Sequence, residues 1–436
     1  MLVLSLLSLL GCSDDPLALQ FRGDPPKNLL MISIDTLRKD RLGRYDGRPE
    51  DDSVSPWLDT LMDESLVLDR HRSCSNWTYG SVVCAMSGRT GYEFKFVPGG
   101  TDSRAPLPPD ARVLPVLLKD RGFKTALVTT NPYLGETAGF NRFYDLFYEE
   151  DGAPANEVVD KGLNFYDRIK GDDPWYLHLH LIDPHAGYNP PARLLTPLEN
   201  IDPIPVDLTV DSAVRELAKS WDTFPPHTQE LILEHMRIRY EGEVRYVDEQ
   251  IQRLMSLLDQ QDALDDTLVV IWSDHGEQFF EHGEFTHGNN LHAEEVDAIA
   301  LFWSKNIRSR AWPELTRHSD IVQTIIYGMD LPRAAGITGR AVGSEDVHRP
   351  AFATRRNTVT MQSVEQDGKR LIYSWDGTLS LYDLAEDPGG AADNYTTLDH
   401  DADVARLWKL LKFRVEMLDE LAEDAEPVWP EGVITR

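Results

Sequence analysis

Cysteine is scarce in this chain, with three residues in 436, at positions 12, 74 and 84. Their spacing is not that of a metal-binding set, which excludes a centre built on thiolates. Positive charge is also in short supply. Lys and Arg total 43 against 73 Asp and Glu, for a formal net charge of −30. So acidic a surface excludes general binding to nucleic acid or to an anionic membrane. An anionic substrate would need local compensation by a metal ion, Arg or His. The N-terminal apolar run, residues 2–10, is far too short to span a bilayer. Internal repeats and low-complexity tracts are missing as well. What remains is a hydrophobic content of 41%, enough for a real core, and a length suited to one large domain plus a smaller one.

The N-terminus reads MLVLSLLSLLGCSDD. Its short apolar run has the form of a secretory signal, and Leu9-Leu10-Gly11-Cys12 resembles a bacterial lipoprotein signal. The expectation is an exported protein of the periplasm or cell envelope, touching the membrane only through a lipid on Cys12; a plain secretory signal is the alternative. Residues 14–27, with three prolines, read as a tether. Export permits a disulfide between Cys74 and Cys84; two packed free thiols are the other reading.

The chain is organised around residues 28–43, NLLMISIDTLRKDRLG. Residues 29–34 form a nearly continuous apolar run, the pattern of a strand buried on both faces of a parallel sheet. The run stops at Asp35. Ligands of open α/β sheets gather at the carboxyl ends of strands, so a carboxylate there is a candidate metal ligand; the bland alternative is a helix cap. Ser55-Pro56 opens a helix, with Ser as N-cap and Pro in the first turn. Residues 79–86 read as a short helix with Thr78 at its N-terminal edge, a place that offers free N–H groups and positive dipole to an anion. By default Thr78 is simply the N-cap.

Residues 110–121 read as a helix. Residues 125–130 read as a strand ending at Asn131, and 175–182 as one ending in Asp183-Pro184-His185. Residues 190–230, rich in proline, read as an irregular surface excursion, and 240–258 as an amphipathic helix. Residues 268–273 form a buried strand that runs into Asp274-His275-Gly276-Glu277, and 299–303 form another strand. Strands alternating with helices predict an α/β fold, a large mostly parallel sheet flanked by helices on both faces. Beyond residue 345 the pattern changes to a hairpin at 369–382 with an Asp376-Gly377 turn and a closing helix at 401–423, a small C-terminal α+β subdomain. The divisions expected are 1–27 for signal and tether, 28–344 for the main domain and 345–436 for the appendage.

With these motifs in view the chain resembles the sulfatase family of the alkaline phosphatase superfamily. The likeness runs from about residue 28 to 421, through SPWLDTLMDES, DRGFKTALVTTNPYLG, LIDPHAGYNPP, YEGEVRYVDEQIQRL, SDHGEQFFEHGEFTHG and LYDLAEDP in the family's order. The resemblance implies a metal-bound nucleophile attacking a sulfur or phosphorus ester. Asp35, Asp274 and His275 would hold one divalent cation together with the nucleophile's oxygen, and His185 and His287 would serve the ester or its leaving group as acid or charge stabiliser. An imidazole ligand favours Mn²⁺ or Zn²⁺ over Ca²⁺ or Mg²⁺. A second ion at Asp183, His185 and His287 is a lesser expectation.

The chain departs from the family's C-x-P-S-R signature, which here reads Thr78-Tyr79-Gly80-Ser81-Val82. Thr78 stands where a Cys or Ser becomes formylglycine. Val82 stands for Arg, Thr36 for a carboxylate, Asn131-Pro132-Tyr133 for Lys-x-His, and His275 for a metal-binding Asn. The set is closer to the phosphodiesterase and phosphoglycerol-transferase branches, which use Thr directly. The implied activity is hydrolysis of sulfate or phosphate esters with Thr78 as nucleophile. The alternatives are a phosphoglycerol- or phosphoethanolamine-type transferase acting on envelope polymers or lipids, and a non-catalytic binding lipoprotein. Arg38 and Arg41 are expected to pair with acidic neighbours.

Overall fold

The computed structural model describes residues 18–90, 106–332, 335–344, 348–355, 361–387 and 401–419. Cys12 and the apolar run before it lie outside them. The strands in chain order are β1 (Asn28–Ile34), β2 (Leu66–Arg72), β3 (Lys124–Thr129), β4 (Leu146–Glu149), β5 (Trp175–Leu181) and β6 (Thr267–Ser273). Then come β7 (Gln278–Phe279), β8 (Phe285–Thr286), β9 (Asp297–Ala298), β10 (Ala300–Trp303), β11 (Arg310–Arg317), β12 (Ala351–Thr354), β13 (Met361–Gln366), β14 (Lys369–Ser374) and β15 (Leu379–Asp383).

The main sheet runs β11-β2-β10-β6-β1-β5-β3-β4, with β9 paired to β2. From β6 to β4 every neighbour is parallel. β10 is antiparallel to both β6 and β2, and β11 is again parallel to β2. The expected large, mostly parallel sheet is therefore present. β1 lies at its middle and alternates its side chains between the two faces. Leu30, Ile32 and Ile34 join one core cluster, with the helices Ala155–Ile169 and Pro226–Asp259. Leu29 and Met31 join the other, with the helices Thr78–Ser87, Leu114–Lys119 and His318–Gly328. Apolar side chains on both faces are what make β1, β5 and β6 near-continuous apolar runs.

Several local expectations are corrected. The helix expected at 110–121 spans only Leu114–Lys119, after the prolines at 108 and 109 and before Gly122. Residues 190–230 are not merely irregular. They contain the helix Asp211–Ser220, and the long helix reaches back to Pro226. Ser55 does not cap the helix Pro56–Asp63. Its hydroxyl instead accepts from Gly43 N, while Asp248 takes the amides of Trp57 (3.2 Å) and Leu58 (2.7 Å) from 190 or more residues away. β2 and β11 escaped notice because Arg, Asp or Glu interrupts their apolar pattern, and β4 because it is only four residues long. Arg38 does pair as expected, with Asp40 and Glu281, and Arg41 lies 3.7 Å from Asp40 and Glu241.

β12 to β15 form a second, antiparallel sheet, in which β14 and β15 make the anticipated hairpin. The helix Asp401–Asp419 packs on it through Leu407, Trp408 and Leu411. The charges on β2 explain how this sheet is tied to the first. Arg72 donates to both oxygens of the buried Glu365 on β13, at 2.6 and 3.1 Å, and Arg370 on β14 adds a bond of 2.9 Å. Arg370 also reaches Asp297 on β9 at 2.6 Å. Burial alone would raise the Glu365 carboxyl, but the charges of Arg72 and Arg370 outweigh it and hold the group below its ordinary 4.5. Glu365→Gln should cost about 3 kcal/mol, the scale for breaking a buried ion pair, read as a lower urea midpoint at pH 7. Because the folded pKa is depressed, the stabilisation is complete above the ordinary value and is lost as pH falls through the folded one. The gap between wild type and variant should therefore narrow below pH 4.

Candidate active site

Four neighbouring strands of the main sheet end side by side. β1 leads into Asp35, β6 into Asp274-His275, β3 into Thr130-Asn131 and β5 into Ile182-Asp183. Asp35 N bonds to Leu181 O and Asp274 N to Ile34 O, so the strand ladders themselves set the carboxylates next to each other. The turn after Asp35 places Thr36 at φ 51°, an uncommon conformation for a β-branched residue. It is held at both ends: Thr36 N donates to Asp274 Oδ1 (3.1 Å) and Thr36 O accepts from Tyr240 (2.7 Å).

Asp35, Asp274 and His275 are fully buried. Asp35 Oδ1 and Asp274 Oδ2 accept no hydrogen bond among the described residues. His275 Nε2 stands 3.9 Å from the first and 3.5 Å from the second. His275 Nδ1 is 2.9 Å from the Gly276 carbonyl, an acceptor only, so Nδ1 carries the proton and the Nε2 lone pair faces the two oxygens. Donors sharing an ion at about 2.1 Å in tetrahedral geometry stand about 3.4 Å apart, close to the 3.5 Å pair; the 3.9 Å pair is wider. Burial and the charge of Asp35 push Asp274 well above its ordinary range. Burial would push Asp35 up too, but the His180 hydrogen bond and neighbouring histidines hold it down. Two buried carboxylates sharing one site resist ionising together, and a cation among them relieves that repulsion. The donor set fits a divalent cation, and these three residues are the one such group among the described residues.

Thr78 is the first residue of the helix Thr78–Ser87, and the position before it, Trp77, makes no side-chain cap. Thr78 does not act as the N-cap either. Its Oγ1 lies 3.3 Å from Asp35 Oδ2 and 3.5 Å from His275 Nε2. Cys84 on this helix is disulfide-bonded to Cys74, which settles that open choice. Asn76 donates to Asn290 O and to Glu295 Oε2, and Glu295 accepts the amides of residues 288, 289 and 290. The segment leading to Thr78 is thereby clamped to the loop that carries His287.

His287 extends the group. Its ring centroid is 4.5 Å from that of His275 and 5.0 Å from that of His185, and its Nδ1 is 2.9 Å from Glu277 Oε1. His185 Nδ1 bonds to the Ala186 carbonyl at 3.0 Å, and Arg215 Nη2 approaches its Nε2 at 3.5 Å. Asp183 does not join them. Its Oδ2 accepts from Ala155 N at 2.8 Å, at the start of the helix Ala155–Ile169.

Two residues at the centre were missed from sequence. Asn131 Nδ2 lies 2.7 Å from Asp35 Oδ2 and 3.3 Å from Thr78 Oγ1. Its signals were its place after a strand and, through the resemblance, its standing at the Lys-x-His position, but neither gave it a role. His180 Nε2 lies 3.2 Å from Asp35 Oδ2. Its signal was a polar residue inside a buried strand.

The pattern of the family described as Sulfatase matches residues 27–331. The chain belongs to the sulfatase family. Over 291 residues it is 21% identical to an arylsulfatase of Clostridium perfringens, covering 63% of this chain and 60% of that protein. It is 23% identical to an N-acetylglucosamine-6-O-sulfatase of Bacteroides thetaiotaomicron, covering 65% and 63%. It therefore spans less than two thirds of the length of these curated relatives. The fold is similar to that of a protein solved with its substrate D-glucosamine-2-N,6-O-disulfate, with a TM-score of 0.71 at 17% identity over 92% of this chain and 99% of that one. It is similar also to a phosphonate monoester hydrolase from Silicibacter pomeroyi, with a TM-score of 0.71 at 18% identity over 91% and 96%.

Pure protein should bind one equivalent of Mn²⁺ or Zn²⁺ in preference to Ca²⁺, measured by elemental analysis after dialysis against a mixture. Asp274→Asn should lower bound metal to less than a tenth. Full occupancy in that variant would remove Asp274 from the ligand set.

Proposed function

We propose that this chain is a metal-dependent ester hydrolase with Thr78 as nucleophile, acting on phosphoesters or phosphodiesters faster than on sulfate esters. The carrying observation is that the Thr78 hydroxyl turns away from helix capping to face Asp35 and His275. Asp35, Asp274, His275 and Thr78 would hold the cation. Bound there, it supplies Lewis acidity that favours the Thr78 alkoxide and offsets charge on the ester. Asn131 donates toward Thr78 Oγ1 and fixes the direction of its lone pairs.

Thr78 Oγ then attacks phosphorus in line, and the bond to the leaving oxygen breaks as the Thr78 bond forms. His287 delivers the proton to the leaving oxygen; Glu277 against its Nδ1 stabilises the charged ring. His185, beside His287, faces the same side. Water next attacks phosphorus, His287 recovers its proton, and Thr78 leaves as the alkoxide. The preference over sulfate follows from the side chain. Oxidation of a Thr would give a ketone in place of an aldehyde, so release by collapse of a hydrated aldehyde is closed to this chain. A threonine sulfate would have to be opened by water directly and would turn over slowly.

The disulfide between Cys74 and Cys84 supports export, and we extend the proposal to a lipid anchor on Cys12. No helix among the described residues is long and apolar enough to cross a membrane.

Thr78→Ala should reduce turnover of bis-aryl phosphate at least 1000-fold, on the scale of losing an activated nucleophile, with an unchanged circular dichroism spectrum. Fast multiple turnover of an aryl sulfate with none of any phosphoester would overturn the choice. Turnover only in the presence of an alcohol acceptor would identify a transferase instead. Cys12→Ala should move the protein from the membrane fraction to the soluble one; unchanged fractionation rules the anchor out.

A further inference from the structure

Behind the carboxylates, on the face of the sheet that carries Leu29 and Met31, a row of polar side chains leads back into the core. His180 Nε2 is 3.2 Å from Asp35 Oδ2, and His180 Nδ1 is 2.8 Å from Ser33 Oγ. Ser33 Oγ is 2.9 Å from His178 Nε2, and His178 Nδ1 is 3.2 Å from the Tyr144 hydroxyl. Asp35, His180, Ser33 and His178 are all 0% exposed, and Tyr144 is 6% exposed. The register explains the row. Ser33 pairs with His180 across β1 and β5, and His178, two residues earlier on β5, points to the same face.

With neutral rings, one arrangement of protons satisfies every contact. A carboxylate only accepts, so His180 Nε2–H donates to Asp35. A neutral imidazole has one N–H, so His180 Nδ1 accepts and Ser33 O–H donates to it. The Ser33 oxygen in turn accepts from His178 Nε2–H, and His178 Nδ1 accepts from Tyr144 O–H. Burial holds His178 down to about 3, so its ring is neutral. Every donor then points toward Asp35, and the dipoles add.

We propose that Tyr144, His178, Ser33 and His180 form a one-way hydrogen-bond chain that positions Asp35, saturating its Oδ2 and leaving Oδ1 turned to the cation. This rests on the reading of Asp35 as a cation ligand. Oδ2 is also within reach of Asn131 Nδ2 and Thr78 Oγ1, whereas Oδ1 accepts no bond among the described residues. The chain stabilises the carboxylate without bringing a net charge next to the cation. It also has a polarity. It cannot carry a proton away from Thr78 unless every donor in it is first inverted, so it is a positioning device and not a proton exit.

The test is nitrogen NMR of the full-length protein labelled with ¹⁵N-histidine, with and without Zn²⁺. His178 and His180 should both show the neutral Nε2–H tautomer in either condition. An Nδ1–H tautomer or a doubly protonated ring at His180 would overturn the proposal. A second arm measures Zn²⁺ affinity by competition with a chelating dye. Ser33→Ala should bind Zn²⁺ 10- to 100-fold more weakly, the range for outer partners of metal ligands, with Tyr144→Phe losing less. Ser33→Thr, which returns the hydroxyl, should recover most of the affinity. A Ser33→Ala protein that melts like wild type without metal and binds Zn²⁺ equally well would sink the idea. Should that variant not fold, the wild-type tautomers still decide. If the wild type binds no Zn²⁺ or Mn²⁺ at all, the ligand reading of Asp35 fails, and the tautomers show separately whether the chain exists.

Discussion

Asp35 and Asp274 are held at the ends of neighbouring parallel strands with their side chains fully buried, and like charges at that separation repel strongly where water does not screen them. Leaving one such charge unpaired costs several kcal/mol. The surroundings can be read as answers to that repulsion. Oδ2 of Asp35 is within reach of donors from Asn131, His180 and Thr78. Oδ1 of Asp274 receives the amides of Thr36 and His275. The remaining oxygens face the His275 lone pair, where the proposed cation would complete the neutralisation.

The main sheet makes this arrangement rigid. Parallel strands deliver their carboxyl ends to one edge, and adjacent ladder bonds leave the residues that follow them little freedom. The strained Thr36 persists because Tyr240 and Asp274 hold both of its peptide groups. The opposite wall is less regular. It depends on Glu295, which gathers three loop amides and the Asn76 side chain. Burial pushes that carboxyl up to about 8 even against those donors. The same residue thus sets where the helix of Thr78 begins and where His287 sits.

Chemical choice enters at few positions. The solved structures with this fold include both a sulfated-sugar complex and a phosphonate monoester hydrolase. Fold therefore does not choose between sulfur and phosphorus. Under the proposed function, the side chain at position 78 and the uncharged Asn131 beside it would bear on that choice, because they would decide what the nucleophile can become and which charges meet the ester.

The sequence by itself determined that there is a mostly parallel sheet, the strand that leads into Asp35, the strand-end placement of Asp35, Asp274 and His275, and the C-terminal hairpin. Each is a local signal: an apolar run of strand length, an abrupt polar stop, an Asp-Gly turn. Tertiary structure alone decided which strand ends meet, and so brought Asn131 to Thr78 across 53 residues and His180 to Asp35 across 145. It also decided that Asp248 would cap the helix that Ser55 was expected to cap, and that Asp183 would turn to a helix start and away from the histidines. Local pattern could not foresee these outcomes. A polar side chain satisfies itself with whichever partner the packed chain brings within about 3 Å, and strand order, which no single segment encodes, settles who that partner is.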